Sequence, residues 1–141
     1  MKSLIATAFF ITVLTAVPAM AQTQASDIGK LEYTENCAVC HGTTGEGNGP
    51  ISGLMAFGPV ADLTTISKRN NGVFPFARIY GIIDGTEEIK WHGTRQMPIW
   101  GTQYTAKGFR STFEATPSDI ESYVQGRIVA LVGYIYSLQK K

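Results

Sequence analysis

The five residues Cys37-Ala38-Val39-Cys40-His41 constrain this chain more than any other feature. They contain both of its cysteines and one of its two histidines. Two intervening residues set the thiols about one helical turn apart, and a histidine follows at once. Cysteine arithmetic alone would pair the two in a disulfide and leave His41 a bystander. A redox dithiol of the thioredoxin kind expects a βαβ context, and no segment shows a convincing period-2 strand pattern. A structural zinc site needs about four ligands, which would recruit nearly every cysteine and histidine in the chain. None of these alternatives explains the glycine-rich stretch that follows His41.

The remaining reading of C-x-x-C-H is covalent attachment of one heme c, the thiols of Cys37 and Cys40 adding to its two vinyl groups. His41 is then held below the iron as an axial ligand. A second axial ligand must come from elsewhere. Met97 stands in a segment without regular periodicity and is followed by Pro98, which fixes the backbone beyond it. A thioether ligand favours reduced iron. Met55 lies in the apolar stretch Leu54-Met55-Ala56-Phe57, where methionine is more often core, so Met97 is the expected ligand. His92 competes as a bis-histidine partner, although a loop histidine bonded to backbone or to a propionate accounts for it better. Trp91 and Trp100 could pack on the porphyrin or simply fill the core.

The chain opens with Lys2 and an apolar run over residues 4–17, then reaches Ala19-Met20-Ala21 before polar Gln22-Thr23-Gln24. This is the pattern of a secretory signal peptide over residues 1–21, cleaved after Ala21, and the run is short for a membrane span of about 20 apolar residues. The mature domain, residues 22–141, is expected in the periplasm, without stable membrane insertion. The full chain carries 12 basic and 11 acidic residues; losing Lys2 leaves 11 of each. Their charges are interspersed, which argues against nucleic-acid binding and a polybasic membrane patch. A mature chain of about 120 residues makes one domain with a modest core.

The periodicities predict an all-α fold with long loops. A short helix over residues 26–37 has cap candidates in Ser26 and Asp27, and Ile28, Leu31 and Tyr33 as its larger apolar or aromatic positions. Residues 42–50 are too rich in glycine for a helix or paired strand. A second helix places Pro75 in its first turn, Phe76, Ile79, Tyr80 and Ile83 on one face, and Asp84-Gly85 as its stop. Residues 85–113, punctuated by Gly93, Gly101 and Gly108, read as a long structured loop. The final helix is the strongest: Thr116 caps it, Pro117 opens it, and Asp119 can reach back to the cap amide. Ile120, Val124, Ile128, Leu131, Ile135 and Leu138 form its apolar stripe, and Lys140 and Lys141 suit the dipole at its end. No internal repeat is visible.

Together these residues resemble the class I cytochromes c, especially small bacterial periplasmic ones, over residues 29–138. The resemblance is carried by Gly29 and Tyr33 ahead of Cys37-Ala38-Val39-Cys40-His41-Gly42, then by Met97-Pro98, then by Leu131-Val132-Gly133-Tyr134. It implies the cytochrome c fold, with N- and C-terminal helices crossing and long loops wrapped around the heme. Gly29 and Gly133, poor helix formers, would serve close approach at the crossing. It also implies that a proline carbonyl accepts a hydrogen bond from the other ring nitrogen of His41; Pro50 is preferred over Pro59. Residues 102–116 depart from the shortest members as an insertion.

With both axial positions filled, the iron has no place for substrate and can only change valence. The expectation is therefore a monomeric electron carrier and not an enzyme. Its partners would be redox proteins, a dehydrogenase or respiratory complex as donor and an oxidase or reductase as acceptor. The runs Ala61-Asp62-Leu63-Thr64 and His92-Gly93 through Met97-Pro98-Ile99-Trp100-Gly101 look most like carriers and subunits of this kind. A permanently bound subunit, or a heme enzyme or gas-binding protein with an open axial site, are the alternatives.

Overall fold

The computed structural model describes residues 20–54, 58–87, 99–111 and 116–140. Among them are six helices and no strand. In chain order they are α1 (Met20–Asn36), α2 (Ala38–His41), α3 (Ile66–Arg69), α4 (Phe76–Asp84), α5 (Trp100–Ser111) and α6 (Pro117–Ser137). Short 3₁₀ turns at Ser52–Leu54 and Leu63–Thr65 complete the order. No helix among the described residues is long and apolar enough to cross a membrane.

α6 forms for the reasons its sequence supplies. Thr116 accepts from the Asp119 amide, and the Asp119 carboxylate accepts from the Thr116 amide at 2.9 Å, which closes a reciprocal capping box with Pro117 in the first turn. The stripe of Ile120, Val124, Ile128, Leu131 and Ile135 is buried, joined by Val132, with Leu138 half-buried against it. Thr116→Ala should cost about 1 kcal/mol of stability, the usual loss of a helix N-cap. Chemical denaturation checks this, and an unchanged midpoint would mean the cap contributes nothing.

α1 crosses α6 at Gly29, where a Cβ would be driven into the Ala130 carbonyl and lie 2.7 Å from its carbon. One turn on, the Tyr33 and Tyr134 rings pack at 5.2 Å with a tilt of 51°. Gly133 plays no such part: a Cβ there would meet nothing within 4 Å. The core face of α1 also departs from expectation. Leu31 is exposed, and the buried positions are Gly29, Glu32, Tyr33 and, just past the helix, Cys37. These follow the i, i+3, i+4, i+8 spacing of one helical face.

α4 ends at Gly85, whose left-handed backbone (φ 93°) donates to the Gly81 carbonyl, as its Asp84-Gly85 stop predicts. Its start differs by one step, since Pro75 is the cap residue and Phe76 begins the helix. The long-loop expectation for residues 85–113 is corrected at its C-terminal part, because Trp100–Ser111 is helical. Its two glycines are contact points instead of breaks. A Cβ on Gly101 would lie 2.7 Å from the Asp84 carbonyl oxygen at the end of α4, and one on Gly108 would lie 3.2 Å from Ile120 Cδ1. Tyr104 is buried between them, and Trp100, half-buried, packs its ring on Tyr104 at 6.1 Å. The described first part of the insertion, up to Ser111, thus belongs to a helix wedged against α4 and α6.

Candidate functional site

Cys37 to His41 form a continuation of α1. The Cys37 amide donates to the Tyr33 carbonyl at 2.9 Å, then the Cys40 and His41 amides both donate to the Cys37 carbonyl, at 3.1 and 2.9 Å. The two thiols are not joined, Cys37 being buried and Cys40 half-buried. Burial first, then the negative charge of Glu32, pushes the Cys37 thiol up to about 12. Gly42 ends the turn at φ 79°, a left-handed backbone that suits a residue without a Cβ. Its carbonyl accepts a 2.7 Å hydrogen bond from the buried Tyr33 hydroxyl.

The glycine-rich stretch folds back over this turn. The Gly47 amide donates to the His41 carbonyl at 2.8 Å, Gly49 to Cys40 at 3.0 Å, and Ile51 to Val39 at 3.2 Å. A second layer lies on the first, with the Leu63 amide donating to the Gly45 carbonyl at 2.7 Å. Here the site acquires its least visible member. His41 Nδ1 lies 3.0 Å from the Ala61 carbonyl oxygen. A carbonyl can only accept, so Nδ1 carries the proton and the lone pair of the neutral ring sits on Nε2, the atom that can bind a metal. The carbonyl expected from Pro50, or else Pro59, is therefore supplied by Ala61. The hydrogen bond from Leu63 to Gly45 holds that backbone beside the ring, while Pro50 and Pro59 are exposed.

The segment carrying Ala61 is pinned from two sides. Asp62 accepts from the Thr64 amide and hydroxyl at 2.7 and 2.6 Å, bonds that hold its carboxyl below the usual range. From the end of α6, Gln139 Nε2 donates to the Leu63 carbonyl at 2.7 Å and Gln139 Oε1 accepts from the Ser67 amide at 2.9 Å. Lys140 does not complement the helix dipole as expected. Its amide donates to the Thr64 carbonyl at 2.8 Å, and its ammonium pairs with Glu46 of the glycine loop at 2.6 Å. The run from Ala61 to Thr64 stood out in the sequence, but the roles of Ala61 and Gln139 did not, because a backbone carbonyl has no residue type and a surface-like glutamine has no motif.

The remaining candidates, Met97, Met55, His92 and Trp91, lie outside the described residues. Among the described residues, no three His, Cys, Asp or Glu side chains come together as a metal site. The donor set that is present suits heme c: two unjoined thiols on one helical turn, and an imidazole whose Nδ1 proton is committed to a carbonyl.

The family model described as Cytochrome c matches residues 26–125 of the chain. No curated protein and no solved structure matches it. The chain therefore belongs to the cytochrome c family and has its all-α fold. It is a heme-binding electron-transfer protein, of a family that attaches heme c covalently and passes electrons to redox partners.

Proposed function

We propose that this protein is a periplasmic monoheme electron carrier. One heme c is held through thioethers to Cys37 and Cys40 and ligated by His41 and Met97. The observation that carries this reading is the Cys37–His41 turn with the His41 ring fixed by the Ala61 carbonyl at 3.0 Å. Heme supplies a one-electron iron couple when bound. The protein's part is to hold and tune it. Cys37 and Cys40 would tether the group to the end of α1, the Ala61 carbonyl fixes the orientation and tautomer of His41, and Met97 would supply the second ligand. With two protein ligands on the iron, no substrate site would remain at the metal, which is what separates a carrier from an enzyme. The partners are a donor dehydrogenase or respiratory complex and an acceptor oxidase or reductase. Residues 1–21 are a cleaved signal peptide, and cleavage after Ala21 spares all of α1 except its first two residues.

The mass of the exported protein tests the attachment directly. It should equal the chain from Gln22 plus one heme, and proteolysis should place that heme on the peptide containing Cys37 and Cys40. Cys37→Ala should leave at most a single thioether through Cys40, detected as heme lost or altered in a denaturing gel stained for covalent heme. Covalent heme of wild-type amount and wild-type absorption in Cys37→Ala would refute the two-thioether assignment.

A further inference from the structure

A charged residue lies in the core between α1, α5 and α6. Glu32 sits one turn before Cys37 on the inward face of α1 and is fully buried. Its Oε1 forms a 2.5 Å ion pair with Arg127 Nη1 of α6, and its Oε2 accepts from Asn36 Nδ2 at 2.9 Å. The pair is lopsided. The Arg127 side chain is 27 % exposed and that of Glu32 is 1 % exposed. The positive end therefore leans toward water, where it is screened, while the negative end stays in the low-dielectric interior.

Stability alone is a poor reason for this arrangement, since buried ion pairs replaced by well-packed apolar residues often leave a protein as stable or more so. Two further facts connect Glu32 to the site. Its charge bears on Cys37, contributing after burial to the raised thiol of that residue. Tyr104 of the insertion helix is 1 % exposed, and among the described residues its hydroxyl closes no hydrogen bond of ordinary geometry. The Glu32 charge bears on that hydroxyl as well. α5 thus seals the carboxylate from solvent on one side with a buried phenol.

We propose that Glu32 is a potential-setting residue: its buried carboxylate, held by Arg127 and Asn36 one turn from Cys37, favours oxidised heme iron and lowers the midpoint potential. The inference rests on the reading of Cys37, Cys40 and His41 as the heme site. Reduction adds one electron, delivered by the redox partner, and no proton need move. A fixed negative charge in a medium of low dielectric raises the energy of the form that has gained that electron.

Equilibrium redox titration of the holoprotein is the test. At the potential where the wild type is half reduced, Glu32→Gln should raise the ratio of reduced to oxidised protein severalfold, up to about tenfold, which is 59 mV for a one-electron couple. Arg127→Lys keeps both charges and should stay close to the wild type. Should Glu32→Gln fail to accumulate, the double variant Glu32→Gln/Arg127→Gln leaves no unpaired buried charge and should still show the rise. A midpoint equal to that of the wild type, with only the melting temperature changed, would reduce the pair to a structural bridge and overturn the inference. Peptide mass separates the two ways of failing. Heme absent from the Cys37–Cys40 peptide of the wild type overturns the site assignment itself, whereas heme present there with an unmoved midpoint overturns only the role of Glu32.

Discussion

Met97→Ala should lower the midpoint potential by a substantial part of the roughly 0.8 V range that axial ligands span, and should open the iron to external ligands. A thioether is a soft ligand that stabilises the electron-rich ferrous state more than the ferric state, and alanine offers nothing in its place. Water, a hard ligand, would then take the position, favour the oxidised form and pull the potential down. Two measurements check this: a redox titration, and carbon monoxide binding to the reduced protein at neutral pH. The wild type should bind carbon monoxide poorly and the variant readily, while the weak red absorption band of methionine-ligated ferric heme should vanish from the variant. Met55→Ala is the control, since a residue that only packs should leave the band and the potential in place. Unchanged spectra and potential in the Met97 variant would mean that the second ligand is another residue, and ready carbon monoxide binding by the wild type would favour the open-site alternative over a carrier.

What the sequence disclosed and what it concealed divide along physical lines. α6 was legible because everything that specifies it is local: the capping box spans the four residues Thr116 to Asp119, and the apolar stripe repeats at helical spacing. The Cys37–His41 turn was legible for the same reason. α5 was not, because Gly101 and Gly108 have two possible meanings. Glycine usually marks a loop, but here it lets a helix approach the end of α4 and the side of α6, and that distinction exists only once the neighbours are in place. Glu32 was hidden more deeply. A carboxylate on a core face contradicts hydrophobic patterning, and its justification, Arg127, lies 95 residues away in sequence. The acceptor for His41 could be anticipated as a carbonyl yet not assigned, since which backbone oxygen reaches the ring depends on the hydrogen bond from Leu63 to the glycine loop.

The helix crossing supplies the second large effect, and it discriminates between two glycines that the sequence treats alike. Gly29→Ala should destabilise the holoprotein by about 3 kcal/mol, the upper end of the usual cost of overpacking. Glycine to alanine within a helix ordinarily stabilises by up to about 1 kcal/mol, so the sign itself is diagnostic. At Gly29 the added methyl meets the Ala130 carbonyl and the Tyr134 Cβ at 3.0 Å. The obstacle is largely helix backbone, so no rotamer change relieves it, and α1 must move away from α6. That movement also loosens the 5.2 Å packing of Tyr33 on Tyr134, and with it the support that the Tyr33 hydroxyl gives the Gly42 carbonyl at the end of the cysteine turn. Gly133→Ala adds the same methyl to open space four residues past Val129 on α6, and should be neutral or slightly stabilising. Thermal unfolding of the two variants side by side makes the comparison. A lower melting temperature for Gly29→Ala alone supports a crossing set by that one position, whereas equal changes in both would show that the helices are free to adjust and that the closeness at Gly29 is not required.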